Sequence, residues 1–268
     1  MSTIEAASVV FAAGRGSRMK GYNGNKTLLP LIPAKTPYDG SRPMLFEVLD
    51  NLPAGDKGIV VNYRAEDVIE ATAHLRVTHI NQPVTNGTGG ALIAARDFIK
   101  KVQQQYVIVT MGDVPLIRHK TYQRLLMKLH ENNMVVVGFR PKDKAQYGAL
   151  EIEKEKVKRI TEWKYWKNYP LQTQQNLLIF NSGIYGLRRK TLLQYISLLM
   201  KDPHMVEKEQ DGHKVVIEEF FITDLAELIS KDGLDVGYIV VDDEKEVMGV
   251  DNDSALIEAQ TWYDRSKF

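Results

Sequence analysis

The chain has 268 residues, carries 35 Lys+Arg against 34 Asp+Glu, and contains no cysteine. A formal charge of +1 argues against a bulk electrostatic grip on nucleic acid or an anionic membrane, and without Cys there is no disulfide, iron–sulfur cluster, Cys-ligated zinc or thiol nucleophile. No run reaches the roughly 18 apolar residues of a membrane span, and Met1-Ser2-Thr3-Ile4-Glu5 lacks the basic start of a signal peptide, so a soluble, cytoplasmic protein is expected.

Strand-length apolar runs alternate with helix-period segments from the N-terminus. Residues 8–13, 57–62, 77–82 and 106–110 read as buried strands, with helices between them over 43–52, 65–74 and 89–101. In the last of these helices Ala91, Leu92, Ala95, Phe98 and Ile99 recur at three- and four-residue spacing and make one apolar face. This alternation predicts an α/β fold with a Rossmann-like, mixed but mostly parallel sheet flanked by helices. Ligands on such sheets bind beyond the carboxyl ends of the strands. Further along, 134–139, 148–152, 157–160 and 177–187 read as strands, 190–200 and 223–231 as helices, 236–241 as a strand and 253–264 as a helix. The charged stretch 151–159 reads as a solvated hairpin, and the polar stretch 202–214, with Pro203 and Gly212, as a mobile excursion. No linker rich in Pro, Gly or Ser divides the chain, so one domain over 1–268 is expected.

The first strand runs into Ala12-Ala13-Gly14-Arg15-Gly16-Ser17-Arg18-Met19, and Lys26 precedes the next apolar run. Small residues let the backbone approach a ligand and aim amides at phosphate oxygens. Arg18 offers a planar fork for bidentate phosphate contact, and Lys26 a compact point charge. The spacing is not that of a Walker A loop, G-x-x-x-x-G-K-S/T, nor of a dinucleotide fingerprint, because Met19 stands at its third small residue. Alone, the loop also fits a plain strand-to-loop turn with surface cations.

Gln82 closes the third strand, and Gly87-Thr88-Gly89-Gly90-Ala91 opens the next helix. A primary amide matches a donor–acceptor edge, and a glycine turn at a helix N-terminus suits a close polar ligand, although Thr88 is equally an N-cap. After the fourth strand, Met111-Gly112-Asp113-Val114-Pro115-Leu116 places a carboxylate where Mg²⁺ would sit with phosphate oxygens; an Asp there also serves as a helix cap. The six His residues form no close ligand pair, so a His-based zinc site is unsupported.

Taken in order, these segments resemble the sugar-1-phosphate nucleotidyltransferases, and among them the uridylyltransferase domain of bacterial bifunctional N-acetylglucosamine-1-phosphate uridylyltransferases. The loop is similar to that family's L-A-A-G-x-G-T-R-M, and Asn25-Lys26-Thr27-Leu28 to its P-K-x-L, with Asn25 for Pro expected only to loosen the turn. The resemblance extends through Tyr147-Gly148, Ile160-Thr161-Glu162-Trp163-Lys164, Asn181-Ser182-Gly183-Ile184, Ile222-Thr223-Asp224 and Glu246-Val247-Met248-Gly249-Val250-Asp251-Asn252. It implies a nucleotide pocket of Ala12, Ala13, Gly14, Gly16, Ser17, Gln82, Gly87, Thr88 and Gly112. It implies that Arg18 and Lys26 hold the triphosphate and departing pyrophosphate, and that Gly148, Glu162 and Asn181 bind the sugar. Asp113 would bind Mg²⁺ together with Asp251, which stands where the close relatives carry Asn. The nucleotide half would cover about 1–132 and the sugar half about 133–268.

The implied reaction is Mg²⁺-dependent transfer from UTP to a sugar 1-phosphate, N-acetylglucosamine 1-phosphate first among them, with no nucleic-acid or membrane partner and a homo-oligomer left open. The alternatives are glucose 1-phosphate with UTP or dTTP, another NTP transferase, or a non-catalytic sugar-nucleotide regulator. No hexapeptide repeat follows the last helix, so the family's acetyltransferase domain is not expected. Two features depart from the family. The link over 32–43 is longer, and the aromatic cluster Trp163, Tyr165, Trp166 and Tyr169 is expected to be loop packing or a subunit contact.

Overall fold

In a computed structural model, residues 4–16, 18–19, 21–144, 146–210 and 213–265 are described, excepting the side chains of 208–210, 213 and 264–265. In chain order the elements are β1 (Ala7–Phe11), β2 (Pro30–Pro33), β3 (Gly40–Pro43), α1 (Met44–Asn51), β4 (Lys57–Val61), α2 (Ala65–Ala71), β5 (Thr78–Asn81), α3 (Gly87–Ala94), α4 (Arg96–Lys101), β6 (Tyr106–Met111) and α5 (His119–Lys128). They continue with β7 (Met134–Phe139), β8 (Ala149–Glu153), β9 (Lys156–Thr161), α6 (Trp163–Trp166), α7 (Leu171–Asn176), β10 (Phe180–Arg188) and α8 (Arg189–Leu199). The last are β11 (His204–Gln210), β12 (His213–Glu219), α9 (Asp224–Lys231), β13 (Val236–Val240) and α10 (Asp253–Arg265).

Among the described residues, nine strands form one sheet whose main path runs β13-β7-β10-β6-β1-β4-β5, with β8 and β9 branching from β10. β1 pairs in parallel with β4 on one side and β6 on the other, while β10 is antiparallel to both its neighbours on the path. The mixed, mostly parallel sheet is thus the expected one. The central strands β1, β4, β6 and β7 are buried on both faces, so they are near-continuous apolar runs and their successive residues feed opposite cores. Val9, Val60, Val107 and Val109 belong to one core, and Val10, Ile59, Val61 and Ile108 to the other.

The chain winds from β1 out to β4 and β5, then returns to add β6 on the opposite side of β1. This reversal makes a switch point between β1 and β6, where an open α/β sheet leaves a crevice at its carboxyl ends. Phe11 and Met111 are register partners there, and the two candidate loops start from them.

Three local expectations change. The helix expected over 89–101 is two helices, α3 and α4, because Ala95 has a ψ of −4° and its N–H is shared between the Ala91 and Leu92 carbonyls. The stretch expected as a mobile excursion is a β-hairpin in which β11 and β12 pair from His204↔Glu219 to Gln210↔His213. The run Val215-Val216-Ile217 and the Asp211-Gly212 dipeptide are the hairpin signals in the sequence. The long link over 32–43 holds a hairpin of β2 and β3, tied to α10 by the Gln260 amide donating to the carbonyls of Pro30 and Pro37 at 2.8 and 2.7 Å. In the aromatic cluster Trp166 is buried against Phe180 and donates from Nε1 to the Tyr147 carbonyl at 2.7 Å. α5, α6 and α7 have no counterpart in the sequence reading. No helix among the described residues is long and apolar enough to cross a membrane.

Candidate nucleotidyl-transfer site

A cleft of about 350 Å³ opens at the switch point, lined by Ala12, Ala13, Gly14, Lys26, Gln82, Gly87, Thr88 and Asp113, among others. These residues come from the three segments that follow the parallel strands β1, β5 and β6, which is why positions far apart in sequence converge. Gly112 lies beside the cleft, its N–H donating to the Phe11 carbonyl at 2.9 Å. Gly16 has a φ of +59°, and a Cβ there would lie 3.2 Å from the Lys26 side chain, so the glycine lets the lysine stem pass. Ser17 lies outside the described residues.

Lys26 occupies the centre of the charged end. Its ammonium donates to Asp251 Oδ1 at 2.9 Å, contacts the Val250 carbonyl at 3.4 Å, and forms an ion pair with Asp113 Oδ2. The Lys26 side chain is only 13% exposed, whereas Asp251 is 48% exposed and Arg18, whose Nη1 is 3.4 Å from Asp251 Oδ2, is 66% exposed. Burial pushes the Lys26 ammonium down, but Asp113 and Asp251 outweigh it and hold the group above the ordinary lysine range. Burial pushes the Asp251 carboxyl up, and the Lys26 and Arg18 charges outweigh that to hold it below the ordinary range. The Val250 N–H donates to the Asp113 carbonyl at 2.9 Å, which fixes the two carboxylate loops against each other.

Asn25 does more than the sequence reading allowed. Far from loosening the turn, it is fully buried and bonded to Ala12, Thr27 and Tyr63.

The Gly87–Thr88 turn is shaped by protein contact as well as by the cleft. Gly87 has a φ of +90°, and a Cβ there would meet the Phe220 carbonyl oxygen at 2.4 Å. Gly89 N–H donates to that carbonyl at 2.8 Å, and Phe220 N–H donates to Asn86 at 2.9 Å. Gln82 is buried, its Nε2 3.3 Å from Asn86 Oδ1 and 3.4 Å from the Gly87 carbonyl. Glu219, which the sequence reading missed, also lines the cleft; its signal was adjacency to the Ile222-Thr223-Asp224 element.

Gly148, Glu162 and Asn181 come together beside this cleft. Asn181 N–H donates to the Gly148 carbonyl at 2.8 Å, and a Cβ on Gly148 would lie 3.5 Å from Glu162 Oε2. A bulge between Asn181 and Ile184 turns the Asn181 side chain, which accepts from Gly183 N–H at 3.1 Å and donates to the Tyr185 hydroxyl at 2.7 Å. Thr223 Oγ1 donates to Glu162 Oε1 at 3.1 Å, while Ile222 N–H donates to Thr88 Oγ1 at 3.2 Å. Consecutive residues therefore link the nucleotide turn to Glu162. Burial, with Asp224 nearby, raises the Glu162 carboxyl above its ordinary value despite the Thr223 bond.

The donor set suits Mg²⁺. Among the described residues no cluster of three or more His, Cys, Asp or Glu is disposed to hold a metal. Asp113 and Asp251 nonetheless converge on one cation, the Lys26 ammonium. Two hard carboxylates completed by phosphate oxygens and water are how Mg²⁺ is ordinarily held, where zinc would ask for more protein ligands.

Residues 8–236 match the MobA-like NTP transferase domain family. The chain belongs to this family. The bifunctional protein GlmU of Clostridium botulinum strain 657 is 31% identical over 260 residues, covering 94% of this chain and 51% of that protein. That of Wolbachia pipientis wMel is 28% identical over 263 residues, covering 97% and 54%. The chain thus spans about half the length of these relatives. Among solved structures, the uridine diphosphate N-acetylglucosamine pyrophosphorylase of Trypanosoma brucei superposes with a TM-score of 0.73 at 12% identity, over 95% of this chain and 64% of that one. A putative glucose-1-phosphate thymidylyltransferase of Bacillus anthracis gives 0.65 at 19%, over 96% and 95%. These structures share the fold.

Proposed function

We propose that this NTP transferase moves a uridylyl group from UTP to a sugar 1-phosphate, N-acetylglucosamine 1-phosphate by preference, releasing pyrophosphate. The observation that carries this reading is the convergence of Lys26, Asp113 and Asp251 at the charged end of a cleft walled by Ala12–Gly14, Gln82 and the Gly87–Thr88 turn. The grouping of Gly148, Glu162 and Asn181 beside it supports a polyhydroxylated acceptor, whose hydroxyls need fixed donors and acceptors.

An oxygen of the sugar phosphate attacks the α-phosphorus as the bond to pyrophosphate breaks in line with it. The attacking oxygen is already ionised near neutral pH, so no side-chain base is required. Catalysis rests on positioning and charge neutralisation. Asp113 and Asp251 would hold Mg²⁺, which would supply positive charge at the phosphates. Lys26 exchanges its carboxylate partners for phosphate oxygens, and the exposed Arg18 folds onto the triphosphate. The buried Gln82 amide and the turn backbone read the pyrimidine edge.

Pyrophosphate release across UTP, dTTP and CTP with several sugar 1-phosphates tests the proposal. The highest rate is expected with UTP and N-acetylglucosamine 1-phosphate, and Arg18→Ala and Asp113→Ala are each expected to lower turnover by orders of magnitude in folded protein. A preference for another pair would replace the substrates named here. Absence of release with every pair would make the chain a binding regulator.

A further inference from the structure

We infer that Asn25 is a positioning residue for Lys26: its buried carboxamide locks the turn that carries the lysine onto the ends of two adjacent strands of the sheet. The inference rests on the role given to Lys26 above.

A primary amide has two N–H donors and an oxygen with two lone pairs, and Asn25 uses all four with no solvent exposure. Its Nδ2 donates to the Ala12 carbonyl at the end of β1 and to the Tyr63 carbonyl beyond β4, each at 2.9 Å. Its Oδ1 accepts from the Thr27 N–H at 3.1 Å and from Thr27 Oγ1 at 2.8 Å. The paired ladder of β1 and β4 ends at Phe11↔Val60, so the amide closes the strand pair just past its last rung. Lys26 lies between Asn25 and Thr27 and opens the single helical turn over Lys26–Leu28. Side-chain bonds on both flanks therefore set the direction in which it leaves the backbone.

The backbone of Asn25, with φ of −75° and ψ of 122°, is also open to proline. The turn alone does not call for asparagine, so what the residue adds is the amide. A buried amide of this kind is unforgiving, since its loss leaves the Ala12 and Tyr63 carbonyls without a donor. Its consequence for Lys26 is geometric, because displacing a catalytic contact by about 1 Å is enough to cost about 100-fold in rate.

Two measurements separate this from a general structural role. The first is the rate at which an amine-acylating reagent modifies each lysine in the substrate-free protein, read by mass spectrometry. Lys26 is protected in the wild type by burial and its ion pairs. In Asn25→Ala its labelling rate should rise about tenfold while the other lysines keep theirs. Thr27→Val, which deletes one of the four bonds, should raise it about threefold and serves if Asn25→Ala does not fold. Unchanged Lys26 labelling in the folded variants, or a rise shared by all lysines, overturns the inference whatever the enzyme's substrates are.

The second is a double-mutant cycle on kcat for pyrophosphate release. Asn25→Ala should lower kcat 10- to 100-fold in the wild type and less than about twofold in Lys26→Ala. Equal factors in both backgrounds would overturn the inference. If Lys26→Ala alone leaves kcat unchanged, the proposed role of Lys26 fails, and the labelling result then decides the positioning by itself.

Discussion

Lys26 Nζ and Asp251 Oδ1 lie 2.9 Å apart although 225 residues separate them in the chain. The same ammonium is paired with Asp113, so one lysine holds together two carboxylates that the proposed reaction assigns to a metal ion. Without this ammonium the two acidic loops would face each other in a half-buried pocket with a net repulsion. The lysine is thus a resident counter-charge with which a divalent cation must compete.

That competition has a measurable sign. Lys26→Ala should lower kcat by about 10²–10³-fold, the usual cost of one preorganised charged donor. It should also tighten Mn²⁺ or Mg²⁺ binding to the nucleotide-free protein, by about three- to tenfold in titration calorimetry. Weaker metal binding in this variant would place the cation away from Asp113 and Asp251.

Asp251→Asn keeps the size of the side chain and replaces the carboxylate with an amide. The amide still offers an oxygen donor but removes one negative charge from the ligand pair. Metal affinity should fall about tenfold, and turnover at saturating Mg²⁺ should stay within about tenfold of the wild type. A loss of several orders of magnitude at saturating metal would show that the carboxylate does more than hold the ion.

Glu162 pays for its place in the sugar-side cluster with stability. Because burial raises its carboxyl in the folded state, ionising it works against folding. The penalty is absent well below pH about 4, where both states are protonated, and grows as pH rises through the raised folded-state value. Glu162→Gln keeps an oxygen for Thr223 and should raise the Tm by about 2 °C at pH 7, with the gain fading on acidification. The same variant should raise KM for the sugar phosphate at least tenfold. A Tm gain that persists below pH about 3 would mean that ionisation is not its source.

Gly87→Ala meets two obstacles at once, a φ of +90° and a Cβ 2.4 Å from the Phe220 carbonyl oxygen. The strain should destabilise the protein by about 2–4 kcal/mol in urea unfolding. Since Phe220 is followed by the residues that bond Thr88 and Glu162, KM should rise for both substrates. A rise confined to the nucleotide would show that the two sides of the site are not mechanically linked through this segment.

β1, β4, β6 and β7 were legible because they are buried on both faces, so each carries an unbroken run of Val and Ile. α5 carries the ordinary half-buried pattern, with Thr121, Tyr122, Leu125 and Leu126 on one face and His119, Lys120, Gln123 and Arg124 on the other, but its short stripe lacks the unbroken apolar run that marks the strands. The hairpin of β11 and β12 was obscured because only Met205, Val206, Val215, Val216 and Ile217 break its polar run, and a two-stranded ribbon is held by its own backbone bonds.

Of the site, the residue types and their order along the chain were in the sequence: small residues and cations after β1, Gln82 after β5, Asp113 after β6 and Asp251 before α10. Local pattern determines these because a parallel strand can only deliver its ligands at its carboxyl end. What only the tertiary structure decided is partnership. That Lys26 faces two carboxylates, that Asn25 braces it through strand-end carbonyls, and that residues 220–223 couple Thr88 to Glu162 all depend on contacts between distant segments. Such contacts follow from strand order and loop packing, and neither is written in the spacing of residues along the chain.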